Sequence, residues 1–257
     1  MQIYVISLPD SLDRQQFIKS QLDSRRTPFE FIPAVNGRAL SEVERNSLYD
    51  SSKAKSYKRE LTHGEIGCAL SHKFVYEKMI KDNVKQAVIL EDDITLKPDF
   101  FLLLQYLEKL PAAGYTIKLE RFNWEKINDD NVKCGRFTPW HKISLNGGGY
   151  YIGQPLYNPT LTWGYYIDLA AAKKLYSIMP KVFLASDAWW FYRKFIKLRM
   201  ISKAVISNND EIFNSLIGER EYNHNKVKAK NRMLKKVYQQ TRNNIKNALK
   251  LFFYIFK

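Results

Sequence analysis

Through the first 120 residues, short β-branched or aromatic runs alternate with stretches of helical spacing. No other feature of the sequence limits the fold as much. QIYVISL (2–8) reads as a buried strand broken by Pro9 and Asp10. SLDRQQFIKSQLDS (11–24) follows, with Leu12, Phe17, Ile18 and Leu22 close to helical spacing. FEFIPAV (29–35) is a second strand, closed by the turn pair Asn36-Gly37. Ser41 with Glu44 fits a capping box, which predicts a helix to about Tyr49. Residues 50–60 are polar and lysine-rich without periodicity and read as a mobile loop. LTHGEIGCALSHKFVYEKMIKDN (61–83) is the longest predicted helix, striped by Ile66, Leu70, Phe74, Val75, Met79 and Ile80. The strand AVILEDDITL (87–96), a helix over about 99–109 and the strand YTIKLE (115–120) complete the series. This order predicts a three-layer α/β domain with a largely parallel sheet.

Beyond residue 120 the pattern loosens. Residues 136–167 hold short β-like pieces around Gly147-Gly148-Gly149, where NGGGYY fits either a loop closing over a ligand or a hairpin turn. LTWGYYI (161–167) reads as a strand, DLAAAKKLYSIM (168–179) as a helix ended by Pro180, and ISKAVISN (201–208) as a last strand. With 45% hydrophobic and 14% aromatic residues in 257, the chain can build a sizeable core.

Two cysteines, Cys68 and Cys134, make neither a disulfide framework nor a zinc site, and they fit a reducing compartment. The start MQIYVISLPD has no basic stretch leading into a long apolar one, and no run approaches a membrane span, so a cytoplasmic protein is expected. The net charge of +15 is uneven. Residues 219–257 carry eleven Lys/Arg against two Asp/Glu, while residues 1–218 carry thirty against twenty-four. The tail reads as a basic amphipathic helix. Met233, Val237, Ile245, Ala248, Leu249, Phe252 and Phe256 share one side, and Lys235, Lys236, Arg242, Lys246, Lys250 and Lys257 the other. Such a helix suits an anionic membrane surface, or docking on a protein partner. The division expected is therefore a globular domain over 1–218 and a membrane-surface tail over 219–257. No zinc-finger, RNA-recognition or helix-turn-helix signature accompanies the charge, so nucleic acid is not the expected partner.

Glu91-Asp92-Asp93 ends an apolar strand, where ligands of open α/β sheets gather. Strand alternation aims Glu91 and Asp93 one way and Asp92 the other. Three unpaired acids this close repel, and a divalent cation bridging to phosphate would relieve them. The same acids would also serve as a helix cap or as partners of surface lysines.

HGEIGCALSH (63–72) followed by ILEDD (89–93), with ISLPDSLDR (6–14) upstream and AVNG (34–37) between, resembles glycosyltransferase family 25, over about residues 1–210. That family includes lipopolysaccharide and lipooligosaccharide glycosyltransferases and is related to collagen galactosyltransferases. The resemblance implies a GT-A type, Rossmann-like sheet flanked by helices, a nucleotide-sugar donor, Mn²⁺ or Mg²⁺, and inversion at the anomeric carbon. It makes the acids a DXD-like motif whose first member is Glu. Asp93 is then the direct metal ligand, Glu91 acts on the metal through water, and Asp92 meets the donor's ribose or sugar.

Around this motif, His63, Gly64, Glu65 and His72 are expected at the donor, near a helix N-terminus suited to diphosphate. Capping and packing are their alternative roles. Ser7, Leu8 and Arg14 follow the first strand and match the nucleotide edge, although Arg14 would serve equally in a surface salt bridge. Asn36 and Gly37 make a turn at another strand end, placed for uridine. Cys68 reads as a small core residue. An inverting transfer needs a base for the acceptor hydroxyl. Asp187, in LASDAWW, is the first candidate and Glu120 the second; either also fits a cap or an ion pair. Trp189, beside Asp187, and Trp163-Gly164 are candidates for the acceptor, with core packing as the alternative. The function expected is transfer of a hexose, galactose before glucose, from its UDP conjugate. The acceptor expected is a lipid-linked lipooligosaccharide outer core at the inner face of the cytoplasmic membrane. The rival is a member that binds its sugar nucleotide without turning it over.

Overall fold

A computed structural model of the chain describes residues 1–57, 59–120, 137–209 and 212–213. In chain order the elements are β1 (Gln2–Ser7), α1 (Leu12–Asp23), β2 (Glu30–Pro33), α2 (Glu42–Leu48), α3 (Ser51–Tyr57), α4 (His63–Lys81), β3 (Gln86–Glu91), β4 (Ile94–Leu96), α5 (Pro98–Leu107), β5 (Tyr115–Lys118), β6 (Phe137–Leu145), β7 (Gly148–Pro155), β8 (Gly164–Asp168), α6 (Leu169–Ser177), α7 (Trp189–Tyr192), β9 (Lys197–Ile201) and β10 (Ile206–Asn208). Eight strands form one sheet in the order β2-β1-β3-β8-β5-β9-β7-β6, and β10 pairs with β4 in a second, two-stranded sheet.

Alternation along the central strands divides the core between the two faces. Tyr4, Ile6, Ile89 and Ile167 pack with Ile66, Leu70 and Met79 of α4 and with Leu175 of α6. Ile3, Val5, Val88, Leu90 and Tyr166 pack with Ile18 and Leu22 of α1 and with Phe100, Leu103 and Leu107 of α5. This is the expected α/β sandwich, helices covering both faces of a Rossmann-like sheet.

The sheet is mixed rather than largely parallel. Strands β2, β1 and β3 run parallel, as do β5 and β9. Strand β8 lies antiparallel between β3 and β5. A hairpin joins β6 to β7, and Asn146 and Gly147 at its turn have φ of 49° and 73°. So short a connection permits only antiparallel pairing. NGGGYY is thus a turn leading into β7.

Three further expectations change. Residues 50–60 contain α3, which Asp50 starts by accepting Lys53 N–H at 2.9 Å and which Ala54 anchors at 1% exposure. Its Tyr57 ring packs on Phe183 and Phe191, a tertiary contact invisible to local periodicity. AVILEDDITL is not one strand: the chain turns at Asp92-Asp93, and Ile94–Leu96 leaves the main sheet to pair with Ile206–Asn208. The last strand expected over 201–208 is two strands, since Ile201 ends β9 in the main sheet. The boundary near Gly218 and the tail beyond it lie outside the described residues. None of the helices among the described residues is long and apolar enough to cross a membrane.

Candidate active site

The carboxyl ends of parallel strands β1, β3 and β5 and the start of antiparallel β8 meet along one edge of the sheet. Ser7 ends β1, Glu91 ends β3, Lys118 ends β5, and Gly164 opens β8. The turn after Glu91 then divides the three acids between two sets of partners. Asp92 is buried, accepting from Ser7 Oγ at 2.6 Å and from Arg14 Nη1 at 3.1 Å. The same Arg14 nitrogen donates to Asp93 Oδ2 at 3.0 Å. Arg14 is itself only 8% exposed, and its guanidinium lies 5.3 Å from the centre of the Phe213 ring. A buried cation clamping two carboxylates is thus its place, not a surface salt bridge.

Glu91 faces the other way. Its Oε1 accepts from Thr162 Oγ1 at 2.6 Å and lies 3.5 Å from His72 Nε2. Alternation would have grouped Glu91 with Asp93; the turn groups Asp93 with Asp92 instead.

These partners shape the acidities. Burial alone would raise Glu91, but His72 and the Thr162 hydroxyl outweigh it and hold the carboxyl below its usual range. Burial raises Asp92 against the opposing pull of Ser7 and Arg14. Burial and the neighbouring Glu91 charge push Asp93 up to about 7 despite Arg14. Asp93 Oδ1 is buried with no hydrogen-bond partner among the described residues.

A second layer closes the edge from β5 and the loop before β8. Lys118, 2% exposed, pairs with buried Glu120 and donates to the carbonyls of Thr160 at 2.8 Å and Leu161 at 2.6 Å. Desolvation lowers the Lys118 ammonium and raises the Glu120 carboxyl. Trp189 is fully buried, its Nε1–H donating to Leu161 O at 2.7 Å and its ring centre 5.1 Å from Lys118 Nζ. Asp187 is half-buried, with Oδ2 3.5 Å from Leu161 N. The Trp163 carbonyl accepts Glu91 N–H at 2.9 Å, tying the loop to the end of β3. Gly164 is enclosed: a Cβ there would lie 2.6 Å from Ile206 Cδ1 and 2.9 Å from Leu90 Cδ2.

The family model for glycosyltransferase family 25, described as an LPS biosynthesis protein, matches residues 1–190, a span that holds every one of these groups except Phe213 and Ile206. The chain belongs to glycosyltransferase family 25. A glycosyltransferase 25 family member of Aedes aegypti is 32% identical over 185 residues, covering 69% of this chain and 28% of the relative. Human procollagen galactosyltransferase 2 is 27% identical over 184 residues, covering 70% of this chain and 28% of that protein. A mouse relative named inactive glycosyltransferase 25 family member 3 is 26% identical over 186 residues, covering 70% and 29%. The chain thus spans less than a third of the length of these relatives.

The family-like stretch HGEIGCALSH forms the first half of α4. Thr62 and Glu65 cap this helix reciprocally, and Arg59 grips the buried Glu65 carboxylate through both oxygens. His63 is exposed and contacts Arg45 at 3.1 Å, with Gly64 beside it. Asn36 Oδ1 accepts Arg38 N–H at 3.1 Å in a side-chain-closed turn. Gly37 packs against α4: a Cβ there would lie 1.8 Å from the His63 carbonyl oxygen, and one on Gly67 would lie 2.4 Å from that of Val35. The Leu8 carbonyl accepts Gln15 Nε2–H at 2.9 Å. Ser7, Arg14, Asp92 and Asp93 therefore form one bonded group and Glu91 and His72 an adjacent one, whereas the polar contacts of His63, Glu65 and Asn36 lie elsewhere. Lys118, Thr162 and Ser186 are absent from the sequence-derived set. For Lys118 the signal was a lysine two residues before an acid at a strand end, which sets both on one face.

Proposed function

We propose that this family 25 glycosyltransferase is an inverting, metal-dependent enzyme that moves a hexose from a UDP-sugar to the outer core of bacterial lipooligosaccharide. Galactose is the first donor sugar and glucose the second. The observation that carries the reading is the Glu91-Asp92-Asp93 edge at the carboxyl end of β3, in a chain of a transferase family. The name of the human relative supports galactose, and the family's description supports the acceptor.

The donor set fits Mn²⁺ or Mg²⁺, because Asp93 Oδ1 is a buried oxygen without a partner beside two further carboxylates. Asp93 would hold the ion directly and Glu91 through water. When bound, such an ion supplies charge compensation to the departing diphosphate. Ser7 and Arg14 fix the rotamer of Asp92, whose carboxylate orients the ribose or the sugar. Leu8 follows β1 and the Asn36-Gly37 turn follows β2, and these would be the contacts to the nucleotide. Asp187 takes the proton of the acceptor hydroxyl, and Trp163 and Gly164 flank that side. Glu120 is the weaker base, because the buried Lys118 ammonium already engages its carboxylate. The basic tail of residues 219–257 brings the enzyme to the anionic cytoplasmic face of the membrane, where a lipid-linked acceptor is met.

The test is a donor screen. The full chain is given UDP-galactose, UDP-glucose, UDP-N-acetylglucosamine and GDP- and CMP-sugars, with Mn²⁺ or with chelator, and donor hydrolysis is followed. Manganese-dependent turnover of one UDP-hexose, lost in Asp93→Ala, is expected. Binding without turnover of any donor would instead place the chain beside the relatives named inactive. The absence of binding altogether would overturn the reading.

A further inference from the structure

We propose that Cys68, His72 and Glu91 form a site for one thiophilic divalent cation of the Zn²⁺ type, which shares Glu91 with the oxygen-ligand site at Asp93 but lies on the opposite side of that carboxylate and is independent of the donor used. The Sγ, imidazole nitrogen and carboxylate oxygen of these three residues lie within 4.8 Å of one another. Cys68 and His72 stand four residues apart on α4, so one helix face presents both. Glu91 arrives from the end of β3.

The strongest sign is His72. The residue is 3% exposed, and its Nδ1 meets Tyr165 Oη at 2.8 Å, which in turn meets Tyr76 Oη at 2.8 Å. That chain fixes the ring and aims Nε2 at Glu91 Oε1, 3.5 Å away. At that separation the two atoms are close enough to interact as an ion pair but make no normal N–H···O hydrogen bond. Nε2 has no hydrogen-bond partner among the described residues. A cation between the two atoms would engage both.

The surroundings have the form of a metal site's outer shell. Tyr165 holds the histidine's second nitrogen, Thr162 Oγ1 holds the Glu91 oxygen, and Ser186 Oγ lies 3.2 Å from Cys68 Sγ. Sulfur and imidazole nitrogen select Zn²⁺ over Mn²⁺, so the two faces of the acid triplet differ in metal preference. Three protein ligands leave a fourth position for water. On binding, the Cys68 thiol proton passes to solvent and the thiolate takes its place on the metal.

Cobalt(II) is the probe. Titrating the full, reduced chain with Co²⁺ in the presence of excess Mn²⁺ should give a thiolate-to-cobalt charge-transfer band saturating at one ion per chain. Zn²⁺ should displace it. Cys68→Ser and His72→Gln should each abolish the band, Cys134→Ser and Asp93→Asn should retain it, and Tyr165→Phe should weaken Co²⁺ binding about 10- to 100-fold. No band in the unaltered chain overturns the proposal whatever the variants do, and so does a band that survives in folded Cys68→Ser or His72→Gln. Failure of the donor screen leaves this result untouched, because the band needs no sugar nucleotide.

Discussion

Asp93→Asn should make the metal-free protein more stable at pH 8 and leave it nearly unchanged at pH 4. Burial and the Glu91 charge raise the Asp93 carboxyl from 3.8 to about 7. The unfolded chain therefore releases this proton first as pH rises. Between about 4 and about 7 the folded state binds more protons than the unfolded one, so stability falls across that window. The cost is absent below the lower value and complete above the upper one. A rise of this size corresponds to about 4 kcal/mol. The side chain is 21% exposed, and solvent screens part of the repulsion, so about 2–3 kcal/mol is expected. Asparagine keeps the shape and removes the charge, while Arg14 retains Asp92 as its partner. The assay is urea unfolding of both proteins with chelator from pH 4 to pH 8. Mn²⁺ at pH 8 should then narrow the gap by stabilising only the unaltered chain. A gap independent of pH, or an Asn variant less stable at pH 8, would refute the reasoning.

Lys118→Met should destabilise by about 3–5 kcal/mol, because it leaves Glu120 buried and unpaired. Lys118→Met with Glu120→Gln should recover much of that loss in thermal unfolding. Gly37→Ala should cost at least about 1–3 kcal/mol, since its Cβ would meet the His63 backbone at 1.8 Å, and chemical denaturation would read it directly. The full chain should co-sediment with anionic vesicles and a chain ending at Gly218 should not; equal binding by both would sink the membrane role of the tail.

The parts of the fold that local chemistry decides were legible in the sequence. The capping box at Ser41 and Glu44 opens α2 as expected, and the unbroken β-branched and aromatic run of QIYVISL gives the buried β1. Elements decided by distant partners were not legible. Helix α3 exposes most of its surface and depends on Ala54 and on the aromatic contacts of Tyr57. Strand β9 hides at the end of WWFYRKFIKL, where aromatic crowding obscures any period, and only pairing with β5 and β7 defines it. At the site, the sequence named the acids together with Ser7, Arg14 and His72, but not which of them pair. The reach of Arg14 to Asp92 spans 78 residues, that of Thr162 to Glu91 spans 71, and no local pattern records either.

The turn at Asp92 explains why the acids can coexist at one edge. In a continuous strand Glu91 and Asp93 would share a face and Asp92 would enter the opposite packing layer. The turn instead gives Asp92 and Asp93 to one buried guanidinium and leaves Glu91 to Thr162 and His72. Arg14 cannot fully neutralise two carboxylates, and the remainder falls on Asp93, whose second oxygen stays unpartnered among the described residues. Folding stability alone would favour a neutral side chain there. A chain that carries instead a buried, half-compensated carboxyl at the end of a central strand accepts a stability cost at that position. Such a cost is accounted for when a positive group completes the site, which is what the proposed divalent ion would bring.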